Sequence, residues 1–279
     1  MQVLSTIQEM RTACRAIRKG GQSLGLVPTM GALHTGHIAL VRAARAQCDC
    51  VAASIFVNPT QFGPNEDFAK YPRTFEKDCA LLEVEGVALV FAPQPEEMYP
   101  KGASTFVEVE GVGDRLDGAS RPGHFRGVAT VVAKLFHIVG PDKAFFGQKD
   151  AAQVAVLRCM VRDLNLDLDL VVCPTVREPD GLALSSRNRY LSAEERVRAL
   201  VLSRALNAIS AAYSSGQKDV ARLLEIGRGV LATQPDVRID YLEVVNADTL
   251  LPLTEAVPGA LVAVAAHVGS TRLIDNALL

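Results

Sequence analysis

SLGLVPTMGALHTGHIALVRAARAQCDCVAASIFV, residues 23–57, holds two apolar runs with a helical stretch between them. SLGLV (23–27) is the first run and ends at Pro28, after which Ile38, Val41 and Ala44 recur at helical spacing. VAASIFV (51–57) is the second run and stops at Asn58-Pro59. Strand, helix and strand over this length predict a βαβ crossover, the connection that joins parallel neighbours.

The alternation continues down the chain. In TFEKDCALLEVEG (74–86) Phe75, Cys79 and Leu82 share one helical face, and GVALVFAP (86–93) reads as a strand. Val128, Val131, Val132, Leu135, Phe136 and Val139 then follow the spacing of an amphipathic helix. A strand at AFF (144–146), a helix over 151–164 and a strand at LDLVVC (168–173) complete the set. Helices between almost uninterrupted apolar strands predict an α/β fold, a parallel sheet with helices on both faces.

After residue 175 the rhythm changes to two successive helices, the first opened by the capping box Ser192-Ala-Glu-Glu195. VRIDYLEVV (237–245) and ALVAVAAHV (260–268) read as antiparallel strands. Two domains are therefore expected, 1–175 and a smaller α+β domain at 176–279, with a soft boundary inside VREPDGLALSSRNRYL (176–191).

Composition narrows the function. With 29 basic and 31 acidic residues the net charge is −2, without the basic excess that a nucleic-acid partner requires. Six cysteines include no CxxC pair and no zinc spacing, so reduced thiols and a cytoplasmic location are expected. The N-terminal MQVLSTIQEMRTACRAIRKG reads as an ordinary amphipathic helix, and no apolar run is long enough to span a membrane.

In an open parallel sheet, ligands bind beyond the carboxyl ends of the strands, where helix N-termini favour anions. PTMGALHTGH (28–37) stands at such a place, with Gly31 and Gly36 admitting a phosphate and His34 and His37 supplying donors. The residues alone leave open that the glycines only serve the turn and the histidines only cap the helix. HTGH lacks the spacing and glutamate of HExxH, and neither GxGxxG nor GxxxxGK[ST] follows the first strand. Its form resembles the HIGH-type signature of nucleotidyl-transfer enzymes.

Four further stretches invite a chemical reading. FVNPTQFGPNEDFAKYPRT (56–74) carries Asn58 and Gln61, amides suited to a small polar substrate, beside the turn chemistry of Asn-Pro and Pro-Asn. RPGHFRGV (121–128) is either a second anion site or a solvated basic loop. GQKDAAQ (147–153) places Lys149 to neutralise pyrophosphate and Asp150 to cap a helix or hold a ribose hydroxyl, with Gln153 nearby. LSSRN (184–188) combines two hydroxyls and a guanidinium, a phosphate-clamp composition, or else forms a polar interdomain loop.

PTMGALHTGH, FVNPTQF, EDFAKYPRT, RPGHFRGV, GQKDAAQ and LSSRNRYLS occur in the order and spacing of the pantothenate synthetase, or pantoate-β-alanine ligase, family, which the chain resembles over nearly its whole length. The resemblance implies a Rossmann-like domain partly covered by a C-terminal lid, in a cytoplasmic homodimer. It also implies condensation of pantoate with β-alanine through a pantoyl adenylate, with Mg2+ accompanying ATP and metal ligands left unassigned. A nucleotidyltransferase that stops after the first transfer and a silent nucleotide sensor are the alternatives.

Carried onto this sequence, the resemblance gives the nucleotide Met30, Gly31, Ala32, Leu33, His34, Thr35, Gly36 and His37. It adds Gly147, Gln148, Lys149 and Asp150, then Val176, and Leu184, Ser185, Ser186 and Arg187 in the manner of a KMSKS loop. His37, His34, Lys149 and Arg187 are the catalytic candidates, with His37 either a proton donor or a charge stabiliser. Gln61, Gln153 and Asn58 fall to the substrate, and Asp78 is considered near the metal. Thr60 stands where the family form FVNPMQF has methionine, Gln148 where GEKD has glutamate, and LSSRN has no lysine.

Overall fold

Six parallel strands form the central sheet in a computed structural model that describes residues 1–64 and 66–279. They are β1 (Gln2–Leu4), β2 (Leu24–Thr29), β3 (Cys50–Ile55), β4 (Leu89–Phe91), β5 (Lys143–Gly147) and β6 (Asp169–Cys173), in spatial order β1-β4-β3-β2-β5-β6. The helices of this part are α1 (Ile7–Lys19), α2 (Thr35–Gln47), α3 (Phe75–Val84), the one-turn α4 (Pro95–Met98) and α5 (Asp117–Ser120), α6 (His124–Val139) and α7 (Ala151–Asp163).

Both faces of the sheet are buried, with the period of two that a pleated strand imposes. Leu24, Leu26, Ala52, Leu89, Phe91, Ala144 and Phe146 join the core that α6 and α7 cover. Val27, Val51, Ala53, Val90 and Phe145 point the other way, to Val41 and Ala44 of α2 and Leu82 of α3. The helical face foreseen on α6 is buried at Val128, Val131, Val132, Leu135, Phe136 and Val139.

Three details depart from the sequence reading. Pro28 does not end its strand: β2 continues to Thr29, with Pro28 opposite Ser54. The ladder to β5 covers only Gly25 and Leu26, so Pro28 stands where β2 has one neighbour and a missing N–H is tolerated. β1 precedes α1 as an edge strand, three residues being too short to display a period. On α3, Phe75 is 43% exposed, and the buried positions are Asp78 and Leu82.

The C-terminal part contains α8 (Ala193–Ser214), α9 (Val220–Leu231) and the antiparallel strands β7 (Val237–Val245), β8 (Leu261–Val268) and β9 (Thr271–Leu278). α8 opens as expected, Ser192 Oγ accepting the Glu195 N–H and the Glu195 carboxylate accepting the Ser192 N–H. β8 is shared between two cores: Val262, Val264 and Ala266 face α8 and α9, whereas Leu261 and Ala263 join the core of the large sheet.

From β2 the chain builds β3 and β4 on one side, then returns to build β5 and β6 on the other. The loops after β2 and β5 therefore flank a crevice at the carboxyl edge, the switch point of the sheet. A second close approach shapes the crevice, because the first turn of α6 crosses the 3-10 turn Pro59–Gln61 at Gly127. A Cβ on Gly127 would run into the Thr60 carbonyl and lie 2.7 Å from Gln61 Cα.

Gly127→Ala is therefore expected to destabilise the fold by about 1–3 kcal/mol, since backbone must move to admit the methyl. Gly229→Ala, in α9 with nothing within 4 Å of the new Cβ, is expected to stabilise it by about 0.5–1 kcal/mol. Thermal unfolding of the two variants checks the contrast.

Candidate active site

The loop after β2 is held in an unusual shape. Gly31 has φ +80 and Ala32 φ +50, consecutive residues in the left-handed region, where a side chain costs about 1–2 kcal/mol. Asp78 of α3 holds it there. Its Oδ2 accepts the Ala32 N–H and its Oδ1 the Leu33 N–H, each at 2.9 Å, and Thr74 Oγ1 donates to both oxygens at 3.1 Å. The Asp78 carboxylate is 1% exposed and committed to these donors, so its place is under the loop rather than on a metal.

That loop delivers His34 as the N-cap of α2. His34 Nδ1 accepts the Gly36 N–H at 3.1 Å, and the His34 N–H donates to His37 Nδ1 at 3.3 Å. With Nδ1 accepting in both rings, the proton of each neutral imidazole sits on Nε2. The ring centroids are 4.1 Å apart. Burial, then the nearby Lys149, brings His34 down to about 4; burial, then His34, brings His37 down to about 3. The capping reading is thus correct for His34 without emptying the chemical one, because two Nε2–H donors remain.

Two other loops converge here. Leu184 Cβ lies 3.8 Å from where a Cβ on Gly36 would stand, so the 184–187 segment rests against the first loop. It is backed by a small hairpin in which Val176 O accepts the Leu184 N–H at 3.0 Å and Arg177 pairs with Ala183. Ser185 Oγ accepts the Arg187 N–H at 3.2 Å, and Ser186 begins a 3-10 turn reaching Tyr190. The Arg187 guanidinium grips Asp67 through two bonds of 3.1 and 3.0 Å. Burial pushes the Asp67 carboxyl up, but the guanidinium outweighs it and holds it below its ordinary value.

After β5, Lys149 Nζ lies 3.4 Å from Asp150. Asp150 occupies the N-cap position of α7 but its side chain caps nothing, which corrects the capping reading. A residue that no sequence pattern flagged fixes this loop. Asn276 of β9 donates to the carbonyls of Gln148 and Lys149 at 2.9 and 2.8 Å, and its Oδ1 accepts from Gln148 Nε2 at 3.1 Å.

A chamber of about 190 Å3 lies behind His37, with Gln61, Gln153 and Met30 on it and Phe56, Val128, Val131, Val132 and Leu135 as apolar wall. It adjoins a cleft of about 810 Å3, and Arg121, His124, Asp150, Gln153 and Arg187 border both. Asn58 is 1% exposed, its amide fully engaged by neighbours that include Gln61. Asn65, in the Pro-Asn turn of this segment, lies outside the described residues.

The RPGHF segment is neither an open anion site nor a solvated loop. Arg121 is neutralised by Glu66 at 2.7 and 2.6 Å and donates to His124 Nε2 at 2.9 Å. His124 Nδ1–H donates to the Gln61 carbonyl at 2.7 Å. Burial, then Arg121, brings His124 down to about 4, so this histidine is a neutral brace for Gln61.

The model of the pantoate-β-alanine ligase family matches residues 2–278. A pantothenate synthetase of Acidobacterium capsulatum is 66% identical, over 100% of this chain and 97% of its own, and one of Thermotoga neapolitana is 53% identical over 100% of both. A crystal structure of the pantothenate synthetase of Thermus thermophilus superposes with a TM-score of 0.94 at 51% identity, covering 99% of each chain. A pantoate-β-alanine ligase from Francisella tularensis, complexed with beta-gamma ATP and β-alanine, superposes at 0.83 with 34% identity, covering 100% of this chain and 97% of that one.

His34, His37 and His124 give the fold a defined acid sensitivity. Their folded pKa values of about 4, 3 and 4 lie below the ordinary 6.5, so the unfolded chain takes up protons first as pH falls. Their contribution is intact above about pH 6.5 and declines towards about pH 4. The urea midpoint is expected to fall between about pH 7 and 4.5, less steeply in His124→Asn.

Proposed function

The chain belongs to the pantoate-β-alanine ligase family, and we propose that the loops described above divide that reaction among them. The enzyme joins pantoate to β-alanine using ATP, releasing AMP and pyrophosphate. A carboxylate and an amine do not condense readily in water, and adenylation supplies AMP as a leaving group. The pantoate carboxylate attacks the α-phosphorus and pyrophosphate departs with the bonding pair. The β-alanine amine then attacks the acyl carbon, AMP leaves with its electron pair, and the nitrogen gives up a proton.

The observation that carries the assignment is the small amide-and-valine chamber opening onto a large polar cleft, with Arg187 on the border of both and Lys149 in the cleft. Pantoate has a dimethyl branch for the valine wall and hydroxyls for Gln61 and Gln153, with Asn58 supporting Gln61 from behind. Its carboxylate then points to the junction, where His37 and Arg187 stand. ATP is placed in the cleft bordered by Lys149, Asp150, Ser185 and Arg187, with its phosphates reaching residues 30–37 at the junction where Met30 and His37 border the chamber, and Gly147, Gln148, Val176, Leu184 and Ser186 standing behind that border. Both imidazoles are neutral in the free chain, so His34 and His37 meet phosphoryl oxygen as Nε2–H donors. Lys149 and Arg187 supply positive charge, Arg187 by exchanging Asp67 for phosphate oxygen.

Among the described residues no group of three or more His, Cys, Asp or Glu is arranged to hold a metal. A Mg2+ would therefore be held mainly by the nucleotide, with Asp150 beside Lys149 the carboxylate that could reach it, and it would supply positive charge to offset the phosphates. The proposal includes residues 1–175 as the ATP- and pantoate-binding part, 176–279 as the lid-like part that covers it, its residues 176–191 being the segment that closes, and a cytoplasmic homodimer. No helix of the described residues is long and apolar enough to cross a membrane.

Pyrophosphate release is expected to require both ATP and pantoate, and pantothenate to appear when β-alanine is added. His37→Ala and Lys149→Ala are each expected to slow adenylation on the order of 100-fold while unfolding cooperatively like the parent. Near-normal turnover in both variants excludes these roles.

A further inference from the structure

We propose that Tyr99 and Thr60 are positioning residues for pantoate recognition, their hydroxyls fixing the Asn58 amide so that Gln61 turns its Nε2–H towards the small chamber. The proposal rests on the reading that Gln61 meets pantoate.

Asn58 Oδ1 is surrounded by donors: the Thr60 N–H at 3.3 Å, Thr60 Oγ1 at 2.9 Å and Tyr99 OH at 2.8 Å. Its Nδ2 faces two acceptors, the Gly127 carbonyl at 3.1 Å and Gln61 Oε1 at 3.2 Å. A backbone N–H only donates and a carbonyl only accepts, so the Thr60 N–H and the Gly127 carbonyl select one orientation of the Asn58 amide, and the two hydroxyls hold it there firmly. Gln61 then inherits its polarity. Its Oε1 is taken by Asn58, and its Nε2, 2.9 Å from Met30 Sδ, is the end left for a ligand. A substrate oxygen with a lone pair suits that end, whereas a donor is refused.

The two hydroxyl contacts are the short ones, and they carry the restraint that the long Thr60 N–H bond alone supplies weakly. Tyr99 is itself held, with its ring 6.3 Å from that of Phe56 and Lys134 Nζ 5.7 Å above its face. Thr60 and Tyr99 also touch, at 3.2 Å. Removing both hydroxyls leaves the buried Oδ1 with one long bond, so the Asn58 amide is held more loosely and the Gln61 amide is less well aimed at the chamber.

Steady-state kinetics of Tyr99→Phe/Thr60→Val, which keeps both shapes, tests this. The KM for pantoate is expected to rise about tenfold with the KM for ATP unchanged and kcat altered less. Thr60→Ser alone, retaining a hydroxyl, is expected to keep the parent KM. In a Gln61→Ala background the double substitution is expected to add nothing, since it acts through Gln61. An unchanged pantoate KM in the double variant, while Gln61→Ala raises it, overturns the proposal. So does an equal rise for ATP, or a further rise in the Gln61→Ala background. If Gln61→Ala leaves the pantoate KM unaltered, the placement of pantoate fails and this proposal with it. Should the double variant not fold, Tyr99→Phe alone is expected to raise the pantoate KM about threefold, and no rise overturns the proposal.

Discussion

The Asp78 carboxylate under the first loop is the constraint on which the site depends. Two successive left-handed residues are uphill for any chain containing an alanine, and they persist only where the surroundings over-determine them. Asp78 does so by accepting the Ala32 and Leu33 N–H groups and the Thr74 hydroxyl. Burying an ion costs several kcal/mol, whereas hydrogen bonds to a charged group contribute about 1.5–3 kcal/mol each, so the donors roughly offset the burial. An apolar residue at this position would instead leave the Ala32 and Leu33 N–H groups buried and unpaired. With the loop fixed, His34 arrives as the cap of α2 and His37 follows one turn later beside it, which sets both Nε2–H donors before a ligand arrives.

The cations of the cleft are held in the same anticipatory way. Arg187 rests on Asp67 and Lys149 near Asp150, so both side chains are held before any ligand binds. These carboxylates lower the local positive potential, at a cost in raw attraction. They also temper repulsion between the guanidinium and the ammonium, and the neutral histidines add donors without adding charge. The arrangement favours a ligand that presents several strong acceptors at once over one that presents a single negative charge.

Much of this was legible in the sequence, and the boundary of legibility is physical. The sheet announced itself because buried parallel strands are apolar at every position and their helices repeat on one face, as α6 does from Val128 to Val139. The loops announced themselves because glycine, histidine, lysine and amide side chains are clustered within each. What stayed hidden is pairing between distant segments. Asp78 looked like one more acidic residue, and its Ala32 and Leu33 partners are 46 and 45 positions away. Asn276 reads as a polar residue on a last strand, yet it bonds loop carbonyls 128 and 127 positions earlier. Arg121 and His124 have the composition of an anion site, and only their contacts with Glu66 and Gln61 turn them into a brace. Periodicity cannot report such contacts, because neither partner's local pattern depends on the other.

Those long-range contacts also restrict where closure over a nucleotide can take place. β8 shares Leu261 and Ala263 with the core of the large sheet, and Asn276 of β9 is bonded to the loop that carries Lys149. The Arg272 guanidinium joins β9 to Asp117 at 2.6 Å, and Arg158 joins α7 to Asp248 at 2.8 Å. Swinging the three-stranded sheet away as a body would expose apolar core and break bonds on the very loop it must serve. The turn Ser186–Tyr190 is tied differently. Arg187 on Asp67 and the Tyr190 hydroxyl on the Lys70 carbonyl at 3.3 Å are polar contacts at the cleft, both replaceable by bonds to a ligand or water. A conformational change that leaves the apolar contacts intact must therefore pass through residues 176–191 and the segment around Asp67, with β7, β8 and β9 remaining as the fixed wall against which they close.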